Sequence, residues 1–530
     1  MPAYLGLDCS TQSLTAIVVE VDGDDRRVAF EHSLRFDDEF PEYGTTHGVL
    51  RGADPREVWS SPLMWAEALD RMMAIVSREG GFDLAQLAAV SGSGQQHGSV
   101  YLSDAAQRIW ASLDPRQPLA RQLAGAFTRD ESPVWMDEST RAQCEAIELA
   151  IGGAEPLAEL TGSRATERFT GPQIRKFYER QAEAYGRTWR IHLVSSYLAS
   201  LLSGAAGDAP VDPGDGAGMN LMDIRTRRWA PAALDATAPG LGAKLPRIEA
   251  PWSVVGTLAP YWQKRYGFPA AHVIAWSGDN PSSVVGSGLV REGSIAISLG
   301  TSDTLFALTP EPRVSASGSH VFGSPTGGYM SLICFKNGSL ARERIRDEHG
   351  LDWEGFSRAL RETPAGNGGA LLLPWFDPEI TPRVNEPGVH RRNLDTADAA
   401  RNVRAVVEAQ MMAMANHSTP VIVGGVTRVL ATGGASANRE VLQVMADVFG
   451  AAVYQAPWDN AACLGAALRA FHAHQLSRGR ELSWDDVGRG LTEPVEEGRV
   501  DPVPAHVAVF ADARRNYAEF ERDVTSRHQT

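Results

Sequence analysis

The sequence predicts an α/β protein of two domains with a cleft between them, and three observations predict it. A chain of 530 residues exceeds what one hydrophobic core usually supports, so two cores of roughly 250 residues each are expected. An apolar strand–turn–strand opening at residues 4–36 recurs at 294–308. After each opening, short β-branched runs alternate with helix-compatible stretches, the pattern of a sheet with crossover helices. The expected division is 1–289 and 290–530, with the join near Gly288–Gly293.

In chain order, Tyr4–Leu7, Leu14–Val21 and Val28–Phe36 read as strands of an antiparallel meander, with a turn at Asp22–Asp25. Val273–Trp276 reads as a strand before a helix, for which Asn280 is the expected cap and Pro281 the first residue. The second domain opens with Ser294–Leu299, the turn Gly300–Asp303 and Thr304–Leu308; later, Val429–Ala431 precedes a helix starting near Asn438. The Pro- and Gly-rich stretches Gly204–Gly218 and Pro374–Pro387 read as surface loops, and Val507–Val524 as a packing helix.

Composition excludes several functions. A net charge of −15 with dispersed basic residues argues against a nucleic-acid partner. No apolar run approaches the ~20 residues of a membrane span, so no membrane partner is expected. Met1–Asp8 enters a strand directly, without the segments of a secretion signal, which makes the cytoplasm the expected compartment. Cys9, Cys144, Cys334 and Cys463 lie too far apart for a CxxC pair and read as reduced, mostly packed thiols. Lys176, Lys244, Lys264 and Lys336 are the only lysines, and none sits in a GxxxxGK[ST] loop. A nucleotide would therefore need a different phosphate cradle.

Five segments could carry chemistry. In Asp8-Cys-Ser-Thr-Gln-Ser13, the backbone around Ser10, Thr11 and Gln12 can gather N–H groups on one anion, with Asp8 placed to hold Mg²⁺ beside it; a plain hairpin turn is the alternative. Gly300-Thr301-Ser302-Asp303 is the same kind of turn in the second half, and two such turns are the plan of actin-like ATPases. In Thr432-Gly-Gly-Ala-Ser-Ala-Asn438, Gly433 and Gly434 let a flat ring approach the backbone before a helix N-terminus; an ordinary turn capped by Asn438 or Ser436 is equally open. In Trp276-Ser-Gly-Asp-Asn-Pro-Ser282, a helix start explains Asn280 and Pro281 but leaves Asp279 as a carboxylate at a strand's C-terminal end, suited to general-base work. Ser91-Gly-Ser-Gly-Gln-Gln-His-Gly98 has GxGxxxG spacing, which rejects a dinucleotide fingerprint and leaves Gln95, Gln96 and His97 as neutral hydrogen-bonders for sugar hydroxyls, against a structural role for His97. No HExxH or GxSxG motif is present.

Together these segments resemble the FGGY carbohydrate kinases, on the eukaryotic-type branch that acts on xylulose. The resemblance runs from Leu5 to about Phe471 and includes Pro133-Val-Trp-Met-Asp137, Thr161–Gly171, Gly278-Asp-Asn-Pro, Ser298–Phe306, Cys334–Leu340 and Ala431-Thr-Gly-Gly-Ala-Ser. It implies two actin-like (ribonuclease H-like) domains, the first binding sugar and the second ATP. It implies transfer of the γ-phosphate of ATP to D-xylulose, with Asp279 as base and His97, Arg168, Asp279 and Asn280 on the sugar. Asp8 and the two hairpin turns would hold Mg²⁺ and phosphates. Gly433, Gly434 and Asn438 would line the adenosine site, with Trp353 against adenine. Ser139 stands where many members have arginine, and Cys334–Arg342 departs from the common glycine-rich signature. The partners implied are a small-molecule sugar and ATP, acting on a monomer or homodimer. The rival expectations are another pentulose or polyol as acceptor, and a catalytically silent sugar-binding regulator, whose mark would be loss of Asp8 or Asp279.

Overall fold

Strand β1 (Ala3–Cys9) is apolar on both faces, and it accordingly lies in the middle of a sheet. It pairs antiparallel with β2 (Ser13–Asp22), which pairs antiparallel with β3 (Asp25–Arg35). On its other side β1 pairs in parallel with β4 (Leu87–Gly94). With β5 (Val254–Thr257) and β6 (His272–Ile274) the order is β5-β6-β4-β1-β2-β3, and a short β7 (Ser277–Gly278) also pairs with β4. The computed structural model describes residues 1–314, 318–422, 424–456 and 460–527.

The period of two along these strands sends Leu5, Leu7, Leu14, Ala16 and Val18 to one face. There they meet Met64, Trp65, Leu69 and Met72 of the helix Pro62–Glu79. Tyr4, Ile17 and Val19 point the other way, onto Cys463, Leu464, Ala467 and Phe471 of the helix Ala461–Ser477. That helix presses so close that a Cβ at Gly6 would lie 2.2 Å from the Cys463 carbonyl oxygen, so only glycine fits. Each large aliphatic side chain buried in these layers contributes roughly 1.5–3 kcal/mol.

The chain divides into two compact units. The first is Met1–Val290 with Val321–Tyr329 and the described part of Trp458–Glu493; the second is Arg291–His320, Met330–Pro457 and Pro494–Thr530 as far as described. The units are thus discontinuous in sequence, although the first crossing falls at Val290–Arg291.

The second unit is built on β8 (Ser294–Leu299), β9 (Asp303–Thr309), β10 (Tyr329–Phe335), β11 (Arg428–Thr432) and β12 (Ala452–Gln455), in the order β10-β9-β8-β11-β12. β8 pairs antiparallel with β9 and parallel with β11, as β1 does with β2 and β4. Its core takes in Val403, Val406 and Met411 of the helix Ala399–His417 and Phe510, Tyr517 and Phe520 of the C-terminal helix Pro504–Arg527.

Two expected surface loops lie in part inside. Ala209–Gly218 is buried throughout, and one oxygen of each of its two carboxylates finds a partner there: Asp212 Oδ1 accepts from the Asp215 N–H at 2.9 Å, and Ser195 donates to Asp215 Oδ2. In Pro374–Pro387, Trp375 lies in the core, and the buried Glu379 accepts from the N–H groups of Lys336, Asn337 and Ile380. Among the described residues, no helix is long and apolar enough to cross a membrane. Among the described residues no disulfide joins the four cysteines; Cys9, Cys144 and Cys463 are buried and Cys334 is partly so.

Candidate active site

In the first unit, parallel pairing brings the chemistry to one end of the sheet. Asp8 on β1 faces Ser93 on β4, and Ser93 faces Ser277 on β7, two residues before Asp279. These are C-terminal strand ends, where ligands of α/β sheets collect. Ser93 Oγ donates to Asp8 Oδ1 at 2.6 Å. Burial pushes the Asp8 carboxyl up to about 7; the Ser93 hydrogen bond works against that rise and the charge of Asp279 adds to it.

Asp279 opens the helix Asp279–Gly286, whose N-cap is Gly278. The expected Asn280 cap is therefore displaced: Asn280 and Pro281 lie inside the first turn, and no side chain caps the helix. Asp279 Oδ1 accepts from the Asn280 N–H at 2.8 Å, the Gln96 N–H at 3.3 Å and Asn280 Nδ2 at 3.2 Å. Burial raises its carboxyl to about 6, and the two neighbouring backbone N–H groups restrain the rise. The Gln96 side chain closes the network, accepting from Asn280 Nδ2 at 2.9 Å and donating to the Gly214 carbonyl at 3.4 Å.

His97 is buried, at a φ of 73°, with Nδ1 2.9 Å from the Gly218 carbonyl and its ring centroid 4.5 Å from that of Phe169. Arg168 precedes Phe169 at the start of the helix Thr170–Arg180 and has no ion-pair partner among the described residues. At the tip between β1 and β2, the Ser10 N–H donates to the Ser13 carbonyl at 2.9 Å, and Trp135 Nε1 donates to Thr11 Oγ1 at 2.8 Å. The N–H groups of Thr11 and Gln12 have no protein acceptor among the described residues. Ser139, the departure noted in the sequence, accepts from Lys176 Nζ at 2.5 Å, and Lys176 also pairs with Glu57 at 2.7 Å.

Sequence reasoning missed Ser93 and Arg469. Ser93 lay within a motif read for its glutamines and histidine. Arg469, fully buried on the helix Ala461–Ser477, donates to the carbonyls of Gly92 at 3.1 Å and Ala275 at 2.7 Å and to Ser282 Oγ at 3.2 Å. It thereby ties together the strands and the helix on either side of Asp279, and no local pattern announces it.

In the second unit, the turn Gly300–Asp303 joins β8 to β9. Asp303 and Arg342, both about 1% exposed, form a bidentate pair at 2.8 and 3.0 Å. Gly433 has a φ of 83°, and a Cβ there would sit 2.6 Å from the Leu299 carbonyl. Asn438 caps the helix Arg439–Phe449, accepting from the Glu440 N–H at 3.0 Å, and its Nδ2 donates to Ser357 Oγ at 2.9 Å. Both expected roles of Asn438, cap and pocket wall, are thus available at once. Trp353 is 45% exposed, with the Arg346 guanidinium 4.4 Å from its ring centroid. Trp353, Ser357, Arg361, Gly434, Asn438 and Glu440 are among the residues around an open pocket of about 520 Å³.

Residues 131–286 match the N-terminal domain of the FGGY family of carbohydrate kinases, and residues 295–474 its C-terminal domain. A protein of Mus musculus named "Xylulose kinase" is 44% identical, over 99% of this chain and 95% of the relative. The chain belongs to the FGGY family of carbohydrate kinases. "Xylulose kinase 2" of Arabidopsis thaliana is 42% identical over 88% of this FGGY chain and 87% of its own. The crystal structure of xylulose kinase from Rhodospirillum rubrum superposes with a TM-score of 0.80 at 18% identity, covering 100% of both chains. That of ligand-bound xylulose kinase from Lactobacillus acidophilus does so at 0.79 and 16%, covering 99% of each. At that identity the likeness concerns the fold, and the fold of this FGGY kinase is the two-domain, actin-like one. Phosphoryl transfer from ATP to a carbohydrate is the family's activity, so this chain is an ATP-dependent sugar kinase.

Proposed function

We propose that this kinase transfers the γ-phosphate of ATP to D-xylulose, giving D-xylulose 5-phosphate and ADP. The choice of sugar rests on the relatives named xylulose kinase. The mechanism rests on Asp279. Its carboxyl, raised to about 6, is ionised at neutral pH yet basic enough to share a proton in the transition state, and its oxygen Oδ1 is held by two backbone N–H groups. Asp279 takes the proton of the attacking hydroxyl, an effect worth on the order of 10²–10⁴ in rate. His97, Arg168 and Asn280 bind and orient the sugar.

Ser10, Thr11 and Gln12 in the first unit form one phosphate-binding turn and Gly300, Thr301 and Ser302 in the second unit another, each offering backbone N–H donors to phosphate charge. Gly433, Gly434 and Asn438 receive the adenosine, and Trp353 stacks on its base. Among the described residues no three His, Cys, Asp or Glu side chains gather as a metal cage. A lone carboxylate such as Asp8 fits Mg²⁺, which takes one or two carboxylates and fills its remaining sites with phosphate oxygens and water. When bound there, Mg²⁺ neutralises phosphate charge. Four cysteines without a disulfide among the described residues suit the cytoplasm. Each chain carries one full set of these residues, so a monomer or homodimer suffices.

The test is ADP release with D-xylulose, D-ribulose, L-xylulose and simple polyols at matched concentrations. D-Xylulose is expected to give the highest kcat/KM, and a clear preference for any other acceptor overturns the assignment.

A further inference from the structure

Lysine is scarce in this chain, and the fold accounts for two of the four. Lys176 pairs with Glu57, and Lys244 Nζ donates to the Thr188 carbonyl at 2.5 Å. Lys336 is different. Its side chain is exposed and has no ion-pair partner among the described residues, yet the backbone around it is held by several hydrogen bonds. The Lys336 N–H donates to Glu379 Oε1 at 2.6 Å, and Asn337 donates to the same carboxylate through Nδ2 at 2.8 Å. Gln410 Nε2 donates to the carbonyls of Asn337 at 2.7 Å and Gly338 at 2.9 Å.

This loop is fastened to the turn Gly300–Asp303. The Ser339 N–H donates to the Gly300 carbonyl at 2.8 Å, and Ser302 Oγ lies 3.5 Å from the Lys336 carbonyl. The buried Asp303–Arg342 pair, with Arg342 also donating to Ser339 Oγ at 3.0 Å, locks the two segments as one body. So many buried hydrogen bonds fix a loop whose next outward-facing group is a bare ammonium, in a chain whose other cations are almost all arginine. A lysine offers a compact point charge that follows a phosphate chain, whereas arginine's planar fork demands one geometry.

We propose that Lys336 is a nucleotide-binding residue, placing its ammonium on the phosphates of ATP as they lie on the Gly300–Ser302 turn. The role is the one a P-loop lysine fills, reached here from a loop 36 positions beyond the turn's first glycine rather than from the turn itself. The inference rests on the reading of Gly300–Ser302 as a phosphate turn, and the experiment separates the two.

Calorimetry on the full chain would measure ADP binding for the wild type, Lys336→Met and Lys336→Arg, alongside KM for ATP and for D-xylulose. Loss of one charge-assisted contact predicts about 10-fold weaker ADP binding and a similar rise in KM for ATP in Lys336→Met. Lys336→Arg is expected to recover most of that loss, and KM for the sugar to stay within twofold. The wild-type KM for ATP should also rise with KCl more steeply than that of Lys336→Met. Because the side chain is exposed, both variants should melt with the wild type. Equal ADP affinity and equal KM for ATP in wild type and Lys336→Met overturn the role of Lys336; absence of ADP binding in the wild type overturns the phosphate turn beneath it.

Discussion

Ser93 hydrogen-bonds Asp8 across a parallel strand pair, at 2.6 Å, in a register that sets the two residues side by side. The serine is the one side chain that offsets the burial of this carboxylate. Ser93→Ala should therefore leave Asp8 more readily protonated and a poorer partner for Mg²⁺. A hydrogen bond to a charged group is worth about 1.5–3 kcal/mol, which predicts a half-maximal Mg²⁺ concentration roughly tenfold higher or more. A magnesium titration of ADP release at saturating ATP and sugar checks it.

The pH dependence follows from Asp279. Only its ionised form accepts a proton, so kcat/KM for the sugar should fall as pH drops through about 6, tenfold per unit below it. Asp279→Asn should lower kcat by at least 10² at every pH, without an acid limb at that position. Initial rates from pH 5 to 8.5 decide this.

The same group has a stability signature of opposite sense. A carboxyl whose folded value lies above its unfolded value favours folding while protonated, and that contribution is lost as pH rises through the folded value. Asp279→Asn should thus melt at or above the wild-type temperature at pH 8, with the advantage shrinking toward pH 5. Differential scanning calorimetry at the two pH values measures it.

Asp303→Ala removes one half of a buried ion pair and leaves the Arg342 charge inside. A loss of about 3–5 kcal/mol in the second unit is expected, since the uncompensated guanidinium is the costly species. Hydrogen exchange along β8 and β9 should rise before that along β1 and β2.

Trp353→Ala takes away an exposed ring at the mouth of the 520 Å³ pocket. Stacking of a base on an aromatic ring is worth about 1–3 kcal/mol, so KM for ATP should rise roughly five- to a hundredfold. KM for the sugar should not move, and paired substrate titrations show whether it does.

How much could be read beforehand differs by residue. The strands β1, β2, β8 and β9 were legible because each is a contiguous run whose alternation and flanking turn residues carry the signal. Asp279 was legible as a carboxylate left over once a helix start had been allowed for. The stretches 204–218 and 374–387 misled because Pro and Gly signal bends, and bends say nothing about depth; Glu379 goes inside because the backbone N–H groups of Lys336 and Asn337, distant in the chain, await it.

Readable from the chain alone were the two repeated hairpins, the glycine turn at Gly433, the unassigned carboxylate at Asp279 and the family to which they point. All of these rest on residues that are neighbours along the chain. The tertiary structure decided the rest: Ser93 meeting Asp8 from 85 positions away, the Gln96 N–H reaching Asp279 across 183, and Arg469 returning to clamp Gly92 across 377. It also set Lys336 beside a turn that lacked a lysine of its own. Local propensity and periodicity are properties of a segment, whereas strand register and the pairing of buried polar groups are settled only when distant segments compete for the same partners.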